Sequence, residues 1–351
     1  MKVLRILGKI FLVLLIIILA LGLIIFGLRT YNENKYKPED YNPEAELPPT
    51  DLSQYDTNLE GIEVTRVEGD YMNGFHLKPE EKRHPGVVIT FGGSEGSPNY
   101  WAAEPFAQGG YEVLSLFFFG MENQQKELVE VPLDFFSEVL TYIDENIEDG
   151  EIITVYGVSK GAELGLNLAV RYPEIDNVIL GAPAEFSYMG LSYENYGDLK
   201  SSWTWKGEPV PFIDMSKGDG REAFNLFKAM LLNESIAYRP GYESAANNDP
   251  NREEARIKVE DTEANILLIA GSEDKMWQAD VAAQHIYEMR PENTELHIFE
   301  GAGHIFRDDG RAYSNGISLE MGGTKEANEK AGQESNQIYK ETLEKWHGSY
   351  E

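Results

Sequence analysis

The sequence predicts a doubly wound α/β domain, built on a mostly parallel sheet with an inserted cap and preceded by one transmembrane helix. Three observations carry that expectation. From Val87 onward, short apolar runs alternate with stretches of helical spacing, as in parallel strands joined by helices. One junction, Gly157-Val-Ser159-Lys160-Gly161, is a strand-to-helix turn flanked by small residues. Residues 10–28 carry no charged or polar side chain.

Taken in chain order, that apolar segment comes first. At ~1.5 Å per residue it is about long enough to cross a bilayer's hydrocarbon core. Lys2, Arg5 and Lys9 precede it, and the chain soon turns acidic after Arg29, so the amino terminus is expected inside. Residues 1–30 therefore read as a single-pass signal-anchor of the cell membrane, with the remainder extracytoplasmic. A cleaved signal peptide is the rival, but its apolar core is normally shorter and Phe26-Gly-Leu-Arg-Thr30 is a poor exit site. Residues 31–56, polar and proline-containing, read as an extended tether, and residues 57–351 as one domain. There, 61–66 and 73–77 suit a β-hairpin. Strands are expected at Val87–Phe91, Glu112–Phe117, 152–156, 177–180, 265–270 and 295–299. Helices are expected at Tyr100–Gln108, 132–147, after Ser159, at Ala279–Met289 and from about Lys325.

Between about 184 and 261 the alternation breaks. This segment holds Tyr188, Trp203, Trp205, Pro209, Pro211, Phe212 and Met215, then helical spacing near 221–232. It reads as a cap whose aromatics line an acyl pocket.

The chemistry centres on Ser159. The sharp turn holds its hydroxyl at the tip of a sheet, beside the donor end of a helix, as a nucleophile requires. The bland alternative is a serine that caps the helix. Of the six histidines, His76 and His84 precede it. His285 falls in a helical pattern, His297 in a strand-like one, and His347 in a frayed carboxyl end. His304, in the loop Gly301-Ala-Gly303-His304, is the expected base. The acid is expected at the carboxyl end of the strand before it, in Gly271-Ser-Glu273-Asp274; Asp274 is favoured and Glu273 competes. Oxyanion donors are expected from the Lys160 N–H and from the loop Gly92-Gly93-Ser94-Glu95, at either Gly93 or Ser94.

These residues and several collinear stretches resemble the acyl-CoA thioesterase and bile acid-CoA:amino acid N-acyltransferase family, within the α/β-hydrolases. The resemblance spans about 85–346. It is carried by Gly110-Tyr-Glu-Val-Leu-Ser-Leu-Phe-Phe-Phe-Gly120, Leu128-Val-Glu-Val-Pro132-Leu-Asp-Phe-Phe136 and the elbow with its lysine. Ile257-Lys-Val-Glu260, Gly271-Ser-Glu-Asp274-Lys-Met-Trp277, Gly301-Ala-Gly-His304 and Gly322-Gly-Thr-Lys-Glu-Ala-Asn328 extend it. It implies an α/β-hydrolase fold and triad positions at Ser159, Asp274 and His304. Acyltransferase members of the family carry a cysteine nucleophile, so the serine here points toward hydrolysis. Thioesterase-type members also carry an amino-terminal β-sandwich domain. Here only about thirty residues separate the tether from the first core strand, enough for the hairpin alone.

The composition narrows the reading. A net charge of −30 argues against nucleic acid and against adhesion of the domain to an anionic surface. The absence of cysteine excludes disulfides, thiolate metal sites, a lipoprotein anchor and a thiol nucleophile. No metal-ligand spacing is present, and no metal or cofactor is expected. The expectation is a membrane-anchored serine esterase or thioesterase acting on a small-molecule acyl substrate. Acyl transfer to an amine or alcohol is the alternative. A non-catalytic scaffold binding a ligand at the cell envelope is a third reading. Lys200, Lys206 and Lys217 are the candidates for a basic patch in the cap that receives the phosphates of a CoA thioester.

Overall fold

The computed structural model describes residues 2–39, 41–192, 199–314 and 316–350. It opens with one long helix, α1 (Lys2–Tyr36), long and apolar enough to cross a membrane; a signal sequence fits the same description. The helix carries on through residues 31–36, which the sequence reading gave to an extended tether. Adding a turn to an established helix costs little, and Arg29 and Asn32 gain partners on the cap. The rest of the linker is also docked. Its 3₁₀ turns at Pro43–Ala45 and Leu52–Gln54 are capped by Asn42 and Asp51, and the Tyr55 ring packs on Phe75 and Tyr100.

The hairpin forms as β1 (Ile62–Glu68) and β2 (Asn73–Pro79). Next come β3 (Val87–Phe91), α2 (Tyr100–Gln108) and β4 (Glu112–Phe117), at the expected bounds. The helix expected over 132–147 starts later. Val131–Pro132 forms a short strand, β5, against the cap, and a 3₁₀ turn intervenes before α3 (Phe136–Asn146). Then come β6 (Ile153–Val158), α4 (Lys160–Ala169) and β7 (Asn177–Gly181). The cap holds β8 (Trp203–Trp205), β9 (Glu208–Pro209), α5 (Gly220–Leu232), α6 (Arg239–Asn248) and α7 (Arg252–Ala255). The fold closes with β10 (Asn265–Gly271), α8 (Ala279–Met289), β11 (Thr294–Phe299), the unanticipated hairpin β12 (Arg311–Ser314) and β13 (Ile317–Glu320), and α9 (Lys325–His347).

The central sheet runs β1-β2-β4-β3-β6-β7-β10-β11. The hairpin pairs antiparallel, including β2 with β4, and every pairing from β4 to β11 is parallel. This is an α/β-hydrolase fold. Alternation along its strands fills two cores. Val87, Ile89 and Phe91 face α3, α4 and the cap, while Val88, Val113 and Phe117 face α2 and α9. Strands buried on both faces explain the unbroken apolar runs in the sequence.

His347 is not frayed. It is buried at the end of α9, where Nδ1 lies 2.7 Å from the Pro85 carbonyl and Nε2 lies 2.7 Å from Thr154 Oγ1. The helix persists to this point because Tyr339 and Leu343 are buried against the sheet.

Candidate active site

At the end of β6 the chain reverses into α4 within two residues. Ser159 takes φ 57°, ψ −120°, a conformation that costs a side-chain-bearing residue of order 1–3 kcal/mol. The turn admits no larger neighbours. A Cβ added to Gly157 would lie 2.1 Å from the Gly161 carbonyl, and one added to Gly161 would lie 2.0 Å from the Gly92 carbonyl. The Ser159 N–H donates to the Gly181 carbonyl at 2.8 Å, pinning the turn to β7. Ser159 thus stands at the carboxyl end of the sheet and at the N-terminus of α4, whose first N–H groups lack intrahelical acceptors.

His304 reaches this serine from the loop after β11. Its Nε2 is 2.9 Å from Ser159 Oγ, and its Nδ1 is 2.7 Å from Asp274 Oδ2. Asp274 follows β10 and is fully buried; its Oδ1 accepts the N–H groups of Met276 and Trp277 at 2.7 and 3.2 Å. An acceptor-only carboxylate at Nδ1 assigns the ring proton to that nitrogen, leaving Nε2 free to accept. The neighbouring Glu273 instead faces solvent beside Lys275. The other histidines are engaged elsewhere: His76 with Glu112, His84 with the Gly348 carbonyl, His285 with Glu185 and His297 with Glu295.

Gly93 lies against the elbow, close enough that an added Cβ would sit 3.4 Å from Ser159 Cβ. Its N–H donates to both carboxylate oxygens of Glu95 at 3.0 Å. A negative group from the same loop therefore occupies the donor that sequence reasoning offered to an oxyanion. Glu95 also accepts the Ser97 hydroxyl at 2.6 Å.

Several residues around the site make side-chain contacts that the sequence does not reveal. Asn328, fully buried, accepts the Gly303 N–H at 2.8 Å and donates to the Arg307, Asp308 and Gly322 carbonyls, fixing the histidine loop. Arg239 of α6 donates to the Asp274 carbonyl and pairs with Asp280. The Lys160 side chain turns inward and is buried. Its Nζ donates to Glu163 at 2.8 Å and to Ser202 at 3.0 Å. Burial pushes the Lys160 ammonium below its usual range, and Glu163 opposes that shift. Glu163 also accepts the Tyr188 N–H at 3.0 Å and the Trp203 indole N–H at 2.7 Å. A helix-face Glu at i+3 from Lys resembles an ordinary surface pair in sequence, so only burial distinguishes it.

The cap aromatics divide. Tyr188 stacks on Trp277, whose ring lies 5.8 Å from that of His304. Trp203 is instead buried in the core against Phe118, and the partly buried Trp205 packs on Tyr172 at its edge. Each lysine of the candidate basic patch has a neighbour of its own. Lys200 pairs with Glu130, Lys217 with Asp214, and Lys206 lies over the Trp205 ring.

Residues 131–308 match the family model described as BAAT / Acyl-CoA thioester hydrolase C terminal. The chain belongs to this family. Within the BAAT / acyl-CoA thioester hydrolase family, the human "Acyl-coenzyme A thioesterase 2, mitochondrial" is 26% identical over 230 residues, covering 64% of this chain and 41% of the relative. The mouse "Bile acid-CoA:amino acid N-acyltransferase" is 24% identical over 251 residues, covering 70% of this chain and 54% of the relative. The chain spans about half the length of the curated relatives it matches. A Pyrococcus furiosus esterase of known structure aligns over 89% of this chain and 98% of its own, at 16% identity and a TM-score of 0.48. Family membership and the fold together place the chain among the α/β-hydrolases.

Proposed function

We propose that the chain is a membrane-anchored serine hydrolase that cleaves an acyl ester or thioester through an acyl-enzyme. The observation that carries this reading is the unbroken path from Asp274 through the His304 ring to Ser159 Oγ, with contacts of 2.7 and 2.9 Å. Ser159 Oγ attacks the acyl carbonyl carbon while its proton passes to His304 Nε2. Asp274 keeps the other proton on Nδ1 and stabilises the imidazolium. The oxygen that becomes negative is held by the Lys160 N–H and by the N–H of Ser94, or by that of Gly93 once Glu95 releases it. His304 then protonates the departing alcohol or thiol. Water, deprotonated by the same imidazole, next attacks the acyl-serine carbonyl; the bond to Ser159 Oγ breaks, that oxygen takes the proton back from His304 Nε2, and a carboxylic acid leaves. Acyl transfer replaces that water with an amine or alcohol.

The anchoring half of the reading rests on α1, with its bare apolar face and the basic residues Lys2, Arg5 and Lys9 before it. An outward-facing domain would meet little coenzyme A. The strongly negative chain would also repel that carrier's phosphates, and Lys200 and Lys217 are already paired with acidic side chains. Uncharged acyl esters, or acyl groups on envelope components, are the favoured substrates.

Fluorophosphonate labelling of the full-length protein tests the chemistry. The probe should modify Ser159, and Ser159→Ala should abolish labelling and lower ester turnover by at least ~10³-fold with the fold intact. Undiminished labelling of Ser159→Ala would remove the serine from its role.

A further inference from the structure

Helix α5 is thirteen residues long, yet among its described residues only Ala229 is buried. At ~100° per residue, Ala229 falls on one side, while Phe224, Phe227, Met230 and Leu231 gather within an arc of about 120° on the other. That outer arc is open: Phe224 is 63% and Phe227 61% exposed, and Met230 and Leu231 are exposed as well. Polar Lys228 and Arg221 border it, and Asn225 lies on the opposite side beside Ala229. Large apolar side chains clustered on the solvent side of an otherwise acidic molecule mark a surface that meets something apolar.

The position of α5 says what that is. Its last carbonyls, those of Met230, Leu231 and Leu232, accept hydrogen bonds from Arg29 and Asn32 of α1 at 3.2, 2.9 and 2.9 Å. Asn32 is buried in this contact. The uncharged apolar run of α1 ends at Leu28, one residue before Arg29. The carboxyl end of α5 is therefore fixed within about one helical turn, ~5 Å, of the level at which α1 leaves the apolar run.

Resting on the membrane-anchor reading of α1, we infer that α5 is an interfacial helix: its Phe224/Phe227/Leu231 face lies in the headgroup–acyl boundary of the bilayer that α1 spans. The net charge of the chain makes this an apolar contact rather than an attraction to anionic headgroups, so zwitterionic lipid suffices. Helix α5 packs on α6, whose Tyr242 ring lies 5.8 Å from that of Trp277, the residue against His304. The cap thus turns its lipid-facing side and its site-facing side toward one another across two helices. An acyl chain already resident in the bilayer is the substrate class this arrangement serves.

The cysteine-free sequence allows the test on the full-length protein in phosphatidylcholine vesicles. Leu19→Cys, Asn225→Cys and Phe227→Cys would each carry a nitrobenzoxadiazole fluorophore, with nitroxide-bearing phosphatidylcholine as quencher. Quenching at 227 of at least ~half that at 19, with little at 225, is the expected result. No quenching at 227 beside strong quenching at 19 overturns the interfacial helix and leaves the anchor standing. Absent quenching at 19 overturns the anchor reading and this inference with it. A blue-shifted 227 label that lipid nitroxide does not quench means that protein, such as a second copy, covers the face, and this too overturns the inference. As a second readout, Phe224→Ser/Phe227→Ser/Leu231→Ser should lower the ratio of turnover on a bilayer-embedded long-chain ester to that on a short soluble ester about tenfold. An unchanged ratio overturns the substrate class.

Discussion

Ser159, His304 and Asp274 meet through short contacts made by three separate loops, so each substitution has its own expected signature. His304→Ala should lower ester turnover nearly as far as Ser159→Ala, by at least ~10³-fold, whereas His285→Ala and His297→Ala should leave it near wild type. Asp274→Asn should be severe, because an amide can present a donor where Nδ1–H needs an acceptor. Glu273→Gln, at a residue that faces solvent beside Lys275, should be mild. Steady-state kinetics on these five variants checks the assignment, and a reversal of the two acidic residues would exchange their roles. Glu95 makes a separate prediction. Its carboxylate holds the Gly93 N–H at 3.0 Å and opposes a second negative charge there. Glu95→Gln weakens that hold and removes the charge, so kcat/KM should rise, by up to about tenfold. A fall of that size would instead make Glu95 a support for the loop.

At the scale of elements, α4 and α9 owe their positions to buried polar groups. Lys160→Met leaves Glu163 charged and buried with only neutral donors, and should cost about 3–5 kcal/mol in denaturant unfolding. His347 gives a pH-dependent counterpart. Burial lowers its pKa from the ordinary value near 6.5. Above that value both folded and unfolded chains hold the ring neutral, and its contribution is complete. As pH falls from 6.5 toward the lowered folded value, only the unfolded chain takes up the proton readily, so stability declines. The Tm of wild type should therefore fall more steeply over that window than that of His347→Gln; equal slopes would clear His347 of the effect. The same elements explain what was legible beforehand. Parallel strands buried on both faces print apolar runs, and the glycines around Ser159 and before His304 print the turns that present those side chains. The choice between Glu273 and Asp274 depends on which carboxylate the turn aims inward, which the sequence order does not encode. Asn328 and Glu163 act through tertiary contacts, and the β12–β13 hairpin is only partly buried, so none left a periodic signal. The cap stayed opaque because long-range bridges such as Phe186 with Arg256 and Tyr188 with Ile213 hold it.

At the scale of the whole molecule, charge and anchoring act on the choice of substrate together. The chain carries −30, and Lys2, Arg5 and Lys9 lie before the apolar run, on the other side of the bilayer in the proposed topology. Matched acyl-CoA and simple acyl esters should therefore differ in their response to salt. Simple esters are expected to be preferred, and acyl-CoA turnover should rise as added salt screens the repulsion. Measuring kcat/KM at low and moderate ionic strength decides the point. An acyl-CoA preference above about a hundredfold that weakens with salt would restore coenzyme A as the carrier.

The carboxylate of Glu163 touches the elbow lysine, the backbone of Tyr188 and the indole of Trp203 at once. One charge is thus shared between the helix that presents the nucleophile and the first part of the cap. Swinging that part outward would strip a buried anion of two donors, at a cost of several kcal/mol. The cap therefore does not hinge as a whole. Residues 188–192 and 199–205 belong mechanically to the catalytic core, and any opening that admits a long acyl chain is confined to the peripheral half built on α5 and α6. Door and frame are parts of one insertion, and the boundary between them runs just after β9.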